Sequence, residues 1–223
     1  MTRLSGKGAA AVGVLSLLLL AGCGITLPGT TTGSGAVKTE TRTVSGFTAV
    51  ELAGNGEVTV QQSGTESLSI SAEENLLPLL TSEVVDGTLK LGVKDGARID
   101  SSQPITYQVS LKNLSGLDIG GSGNQTATGV KTTALRVRVT GSGTVTASGT
   151  ADALDLQMAG SGTFRGSGLA SKTANIDSAG SGTAEVAVSD RLNVKILGSG
   201  TVTYSGSPQV TESIMGSGTL RKK

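Results

Sequence analysis

Apolar and polar residues alternate with a period of two over long stretches of the C-terminal part of the chain. The pattern is clearest at 135–139, 154–158 and 192–196, where every second residue is apolar. A half-buried strand has this period, whereas a helix needs apolar residues three and four positions apart. These stretches therefore predict strands with one buried and one exposed face.

Each of these strands is followed by the tripeptide Gly-Ser-Gly. Its six copies begin at Gly121, Gly141, Gly160, Gly180, Gly198 and Gly216, with spacings of 20, 19, 20, 18 and 18 residues. One such repeat is too short to bury its own apolar face, so repeats must stack on one another. The spacing predicts an all-β fold, a β-solenoid (β-helix) of parallel strands with coils of about 18–20 residues.

Stacking in register assigns the columns of side chains to the inside or the outside of the solenoid. The fourth residue before each repeat is apolar in five of the six copies: Leu117, Val137, Leu156, Ile176 and Val194. A second short strand after the tripeptide has the inward candidates Val145, Phe164, Ala184 and Val202. These columns predict the core.

The outward columns carry opposite charges on neighbouring coils. In register, Asp118 lies beside Arg138, Arg136 beside Asp155, and Asp177 beside Lys195. Such pairs contribute roughly 0.2–1 kcal/mol each. They are equally consistent with a solvated face that has no energetic role.

The Gly-Ser-Gly tripeptides are predicted to be corners. Glycine reaches backbone angles closed to other residues, and stacked corners leave no room for bulky side chains. We expect the central serines to form a hydroxyl ladder. A phosphate-binding loop would need Gly-Lys-Ser/Thr and a following helix, and strand-like residues follow each copy instead.

The N-terminal half is less regular. Strand-like runs occur at 58–62, 67–71, 88–93 and 105–111, and Asp86-Gly87 predicts a turn between two of them. Residues 73–80 resemble a short helix that Pro78 limits. We expect irregular first coils, with a hairpin that caps one end, while Arg221, Lys222 and Lys223 protect the other.

Composition and charge exclude several classes of function. Basic and acidic residues number 18 and 17, and the basic ones are scattered, so no footprint for nucleic acid is present. Aromatic residues make up 2 %, which leaves the core to Val, Leu, Ile and Ala. The 36 % hydrophobic content argues against disorder in spite of 34 glycines.

The first residues have the features of a bacterial lipoprotein signal peptide. Arg3 and Lys7 precede an apolar run at 9–20, which is short for a membrane span, and Leu20-Ala21-Gly22-Cys23 matches a lipobox. This resemblance implies fatty acylation (palmitate) of Cys23, cleavage after Gly22, and export to the cell envelope. Gly24 favours the outer membrane in a Gram-negative cell. An ordinary secretory signal is the alternative.

The chain thus divides into four parts. We predict a signal peptide at 1–22, a lipidated cysteine with a flexible Gly/Ser/Thr tether at 23–42, a β-solenoid domain at 43–220, and a basic tail at 221–223.

Short motifs in a fixed order resemble a known family. They are Val44-Ser45-Gly46-Phe47, Val50-Glu51-Leu52, the segment 54–58, and the segment 86–89, followed by the repeated Gly-Ser-Gly coils. Together they resemble the GIN-type head domain of auto-transporter adhesins. The resemblance implies a right-handed, single-stranded parallel β-helix over about 43–220, and it supplies no catalytic motif.

Non-catalytic functions are favoured by what the sequence lacks. The chain has no His, and Cys23 is its only thiol, so Ser–His–Asp, Cys–His and ordinary zinc chemistry are excluded within the chain. A polysaccharide lyase or glycosidase would need converging carboxylates, for which Asp155 and Asp177 are the best pair. We expect no cofactor and no metal.

The expected function is that of a membrane-anchored binding or adhesion module with a glycan or a surface protein as ligand. A passive structural role in the envelope is the alternative.

Overall fold

The computed structural model describes Thr2 and residues 29–223, and it is a β-solenoid of about 5 turns with 72 % of residues in strands and 2 % in helix. The all-β prediction is confirmed. The strands, in chain order, are β1 (Thr30–Thr32), β2 (Val37–Arg42), β3 (Ala49–Gly54), β4 (Glu57–Gln62), β5 (Ser67–Glu73), β6 (Leu80–Val85), β7 (Thr88–Val93), β8 (Arg98–Asp100), β9 (Thr106–Leu111), β10 (Gly116–Gly121), β11 (Asn124–Gly141), β12 (Thr144–Gly160), β13 (Thr163–Gly180), β14 (Thr183–Gly198), β15 (Thr201–Ser205), β16 (Gln209–Gly216) and β17 (Thr219–Lys222).

Each Gly-Ser-Gly corner joins two stretches of one coil. We call them the pre-corner strand, which ends at the first glycine, and the post-corner strand, which begins after the third. β11 to β14 each contain the post-corner strand of one coil and the pre-corner strand of the next. All are parallel and in register, so that the first glycines of successive corners lie opposite one another. The predicted in-register stack of repeats is confirmed.

The core consists of the predicted inward columns. Leu117, Val137, Leu156, Ile176 and Val194 are each at most 3 % exposed, and the post-corner residues Val145, Phe164, Ala184 and Val202 are buried in the same way. The columns end at β16, where Glu212 takes the inward position opposite Val194 and is exposed. A charged residue at this position discourages a further coil from stacking on the open edge.

The corners are held by backbone hydrogen bonds between coils. The Ser142 N–H donates to the Gly121 carbonyl at 2.9 Å, and the Thr144 N–H donates to the Gly123 carbonyl at 3.0 Å. The central serines are exposed, and among the described residues their hydroxyls form no ladder with one another. Corner stacking therefore depends on the main chain, and the expected hydroxyl ladder is wrong.

The N-terminal half builds a cap on the first coil. β3 and β4 form a coil, and the chain then makes a detour before β10 stacks directly on β3. On the opposite edge of that coil, β7 pairs with β3 and β9 pairs with β4. The antiparallel strand β6 then pairs with β7, and the antiparallel strand β5 pairs with β9. The predicted turn at Asp86-Gly87 joins β6 to β7 with φ values of 49° and 73°, so the capping hairpin is confirmed.

Two local predictions in this half need correction. The helix expected at 73–80 is reduced to one 3-10 turn at Leu77–Leu79, because Glu73 still belongs to β5 and Leu80 begins β6.

The flexible tether predicted up to residue 42 is the other difference. β1 pairs with β8, and β2 pairs with β5 along its whole length. Arg42 also donates to the carbonyls of Leu77 and Leu80 at 2.9 and 2.8 Å. A Gly/Thr-rich composition predicts a coil, yet the open edge of β5 supplies partners for the backbone. Residues 30–42 are therefore part of the folded cap.

At the opposite end, the predicted basic tail also belongs partly to the sheet. Arg221 and Lys222 lie in β17, which pairs with β15, and the Lys223 N–H donates to the Tyr204 carbonyl at 2.8 Å.

Glu73 fastens the N-terminal segment to the loop after β8. Its carboxylate accepts hydrogen bonds from the Ser102 hydroxyl and the Gly35 N–H, both at 2.7 Å, and from the Ser102 N–H at 3.0 Å. The pKa of Glu73 is lowered in spite of desolvation. The hydrogen bond from the Ser102 hydroxyl has the largest effect, and the bonds from the backbone N–H groups lower the pKa further. The charged form is therefore the one that the fold stabilises.

Lowering the pH should loosen this attachment. The pKa of Glu73 in the folded chain lies below the ordinary glutamate value. The stabilisation of the fold by the charged carboxylate is therefore complete at pH values above the ordinary glutamate pKa, and it is lost as the pH falls through the lowered pKa. Amide exchange at Gly33 and Gly35, measured as protection factors, should accelerate at acid pH and in Glu73→Gln at neutral pH. Glu74→Gln, next to it but exposed and paired with Lys38, is the control. Equal protection in both variants would contradict this role.

Candidate functional site

Cys23, the predicted lipidation site, lies outside the residues that the structure describes, and its acylation stays a prediction. No helix within residues 29–223 is long and apolar enough to cross a membrane. The described part of the chain offers instead a surface built from the pre-corner strands. We call the outward side of β10, β16 and the pre-corner strands between them the ladder face, because its side chains form three columns along the solenoid axis.

The first column holds polar side chains five residues before each corner: Arg136, Asp155, Asn175, Asn193 and Thr211. Arg136 lies 3.6 Å from the Asp155 carboxylate, as the register predicts. The Asn193 amide donates to Asn175 Oδ1 at 2.8 Å, which makes a short amide ladder. Successive coils thus present hydrogen-bonding groups at intervals of about 4.8 Å.

The second column lies three residues before each corner and contains most of the charge: Asp118, Arg138, Gln157, Asp177, Lys195 and Ser213. Arg138 lies 3.6 Å from Asp118, so this predicted pair forms. Asp177 and Lys195 are aligned as predicted, but among the described residues they do not close into an ion pair. Exposed pairs of this kind contribute at most about 1 kcal/mol each.

The second column continues onto the cap. Asp118 lies opposite Glu51, which is opposite Lys90, and the Lys90 ammonium is 3.8 Å from the Glu51 carboxylate. Burial raises the pKa of Asp118 and the nearby Arg138 opposes that effect, while the Glu51 charge adds to it. The sequence pattern missed the cap residues, because no repeat motif marks β3 or β7 as neighbours of β10.

The third column lies one residue before each corner and is mostly apolar: Thr140, Ala159, Ala179, Leu197 and Met215. Leu197 and Met215 are 55 % and 53 % exposed. A groove of about 420 Å³ follows this column, with Lys195, Asp177 and Arg138 along its other wall. The sequence analysis did not single out these residues, although two large apolar side chains at outward positions were the available signal.

A second trough of about 590 Å³ lies at the bend that follows the post-corner strands. Its walls are small side chains, and the Lys172 ammonium at its rim is paired with Asp152 at 2.8 Å. The buried Ser171 lies in the inward column between Ala151 and Val188. This trough lacks the variety of charged, amide and apolar groups that the ladder face presents.

The carboxylates considered for glycoside chemistry do not converge. Asp155 is paired with Arg136 in the first column, while Asp177 stands in the second column one coil further on. Within the described residues, no cluster of three or more metal-ligating side chains occurs.

A capped stack of parallel coils with a long outward face of polar and apolar columns defines the class of β-solenoid repeat proteins. A family model with the description "Putative auto-transporter adhesin, head GIN domain" matches residues 46–208. Because the match covers most of the chain, this chain belongs to that family. The resemblance found in the motifs is confirmed, and the family suggests a non-enzymatic protein of the cell surface or envelope.

Solved structures share the fold at low identity. The crystal structure of a putative adhesin from Bacteroides fragilis has a TM-score of 0.70 at 22 % identity, over 86 % of this chain and 99 % of that chain. A putative adhesin from Parabacteroides merdae gives a TM-score of 0.57 at 22 % identity, over 86 % and 98 %. A putative lipid binding protein from Parabacteroides distasonis gives 0.58 at 23 % identity, over 86 % and 98 %. No curated protein matches this chain.

Proposed function

We propose that this chain is a lipid-anchored adhesion module of the cell envelope, without catalytic activity, that holds its partner against the ladder face. The single observation that carries the proposal is the third column with its exposed Leu197 and Met215, flanked by two columns of charged and amide side chains. Apolar surface rimmed by polar groups is typical of interaction sites.

The anchor in this proposal is Cys23 of the Leu-Ala-Gly-Cys motif. One acyl chain binds a membrane only marginally, whereas the several chains of a lipoprotein anchor hold it stably. The module would then stand at the outer membrane of a Gram-negative cell, or at the single membrane of another envelope type. The absence of His from the sequence and the engaged Asp155 support a non-catalytic role.

Cells that display the chain should adhere to a ligand on arrays of glycans, envelope proteins and lipid vesicles. Vesicles are included because one structural neighbour carries a lipid-binding description. Replacing residues 1–23 by an ordinary cleavable secretory signal, which leaves no cysteine to acylate, should release the chain into the medium and abolish cell adhesion, while the released chain still binds. Leu197→Asp should weaken binding at least about tenfold, because it places a carboxylate in the apolar column.

The matched control is Thr203→Asp, which introduces the same group on a post-corner strand. Binding that Leu197→Asp leaves unchanged would contradict the assignment of the ladder face. A chain that binds nothing on any array, and whose deletion weakens the envelope, would be a passive structural component. Turnover of a polysaccharide would establish an enzyme instead.

A further inference from the structure

The exposed apolar residues of the third column occur in an ordered sequence of sizes. Along the axis, Ala159 is followed by Ala179, then Leu197, then Met215, each opposite the next in register. Two small residues are thus followed by two large ones. A large residue fits best over a small one when two faces pack together.

The ladder face is complementary to itself when the order of coils is reversed. A twofold axis that runs parallel to the strands, midway between the pre-corner strands of Asp177 and Lys195, keeps each column opposite itself. It reverses the order of coils, as an isologous dimer requires. Leu197 of one copy then lies over Ala179 of the other, and Met215 lies over Ala159.

The polar columns match in the same arrangement. Asp177 of each copy faces Lys195 of the other, which gives two intermolecular ion pairs. These two residues are exposed and do not close a pair within one copy, as far as the described residues show. Asn175 faces Asn193, and Gln157 faces Ser213, so amide and hydroxyl groups meet each other. The coils that overlap in the dimer are the four that contain Gln157, Asp177, Lys195 and Ser213. Within these four coils, no two like charges face each other.

We infer that the partner of the ladder face is a second copy of this chain, packed face to face with its solenoid axis reversed. The inference rests on the proposed function of the same face and names its ligand. β1 and β2 lie in the cap at one end of the solenoid, so reversal places the N-terminal ends of the two copies at opposite ends of the dimer. This geometry suits copies anchored on two facing membranes.

The contact is small. Four coils about 4.8 Å apart and six residues about 3.3 Å apart give roughly 400 Å² of flat face on each copy. This is the range of weak, transient interfaces. Many copies on two facing surfaces would act together, because multivalency raises the strength of a weak contact.

A linear polysaccharide could also lie along the columns, because its repeat is close to the spacing of the coils. The face offers no aromatic platform for sugar rings, since the four aromatic residues are Phe47, Phe164, Tyr107 and Tyr204, none of them on the ladder face. The size and charge complementarity favours a second copy. A polysaccharide is therefore an outcome of the test that would overturn the inference.

The test in solution uses the chain from Gly24 onward, which keeps every strand and the whole core described above. In sedimentation velocity over a concentration series at low salt, the wild-type chain should show a reversible monomer–dimer equilibrium. Asp177→Lys and Lys195→Asp should each weaken it at least about tenfold, because like charges then face each other twice. Circular dichroism and urea unfolding confirm that each variant is folded.

The decisive experiment is sedimentation velocity of an equimolar mixture of the Asp177→Lys and Lys195→Asp variants. In the mixed dimer, the lysine introduced by Asp177→Lys faces the aspartate introduced by Lys195→Asp, and the unchanged Lys195 of the first variant faces the unchanged Asp177 of the second. Association should therefore return to about the wild-type strength. The double variant should likewise dimerise by itself. Glu185→Lys, which creates a similar like-charge contact with Arg165 on a post-corner strand, should leave the equilibrium unchanged.

Three results would overturn the inference: a wild-type chain that stays monomeric at the highest concentration, single variants that dimerise like the wild type, or a mixture that fails to recover. On cells, displays of the two variants should aggregate only when mixed. Cells that adhere to an array ligand through the ladder face, while the chain remains monomeric, would refute self-association and leave the proposed function standing. Self-association in solution without adhesion of wild-type cells would support the inferred dimer and contradict the proposed adhesion function.

Discussion

The Ile176→Asp variant is expected to lose most of its folding stability. Ile176 is 1 % exposed and lies between Leu156 and Val194 in the inward column. An unpaired buried charge costs about 3–5 kcal/mol, and the total stability of a domain is about 5–15 kcal/mol. Urea unfolding followed by circular dichroism should show a large drop in the midpoint or no folded baseline at all.

The neighbouring residue supplies a control for this substitution. Asn175→Asp introduces the same side chain one position earlier, on the ladder face, and keeps the acceptor for the Asn193 amide. Because Asp155 lies opposite this position on the neighbouring coil, the free energy of unfolding should fall by up to about 1 kcal/mol, well below the loss expected for Ile176→Asp. If both variants unfolded at the same urea concentration, the inward and outward assignment of these columns would be wrong.

The second large effect is expected at a corner. Gly121 has φ +133°, and a Cβ built on it would lie 2.6 Å from the Gly54 carbonyl oxygen of the preceding coil. That atom belongs to stacked backbone and cannot move aside without shifting the corner. Gly121→Ala should therefore cost about 2–4 kcal/mol, through backbone strain and steric displacement together.

Gly120→Ala isolates the cause of that loss. Gly120 precedes Gly121 in the same strand, and a Cβ there would meet nothing within 4 Å. Its replacement should be neutral or slightly stabilising, since alanine restricts the unfolded chain. The two variants are compared by urea or thermal unfolding. A loss of stability in Gly120→Ala as large as in Gly121→Ala would count against the close approach of stacked corners.

Local periodicity was sufficient to predict the regular coils, because each prediction depended on neighbours about one repeat away. Every residue of the predicted column from Leu117 to Val194 is buried, and two of three predicted charge pairs form. The predictions that differ are those for segments without repeats. For residues 30–42, composition indicated a coil, whereas pairing with β5 and β8 made strands.

The candidate site was predicted only in part. Alternation identified the outward columns and their charges, but it could not rank one outward residue above another. The extension of the second column to Glu51 and Lys90 depends on strands that are distant in sequence. Leu197 and Met215 are exposed because they lie on the outward side of β14 and β16, and only the structure shows that they lie next to each other beside the charged second column.

By itself, the sequence determined the class of fold, the length of the coil, the buried columns and the corners, because alternation and glycine spacing act through contacts that recur at every repeat. Only the tertiary structure decided how the cap closes the first coil, that β10 stacks on β3 across the whole detour between them, and that Glu51 and Lys90 of the cap extend the second column. These features depend on backbone groups at a sheet edge, which pair with whichever strand reaches them, and no local pattern specifies that choice.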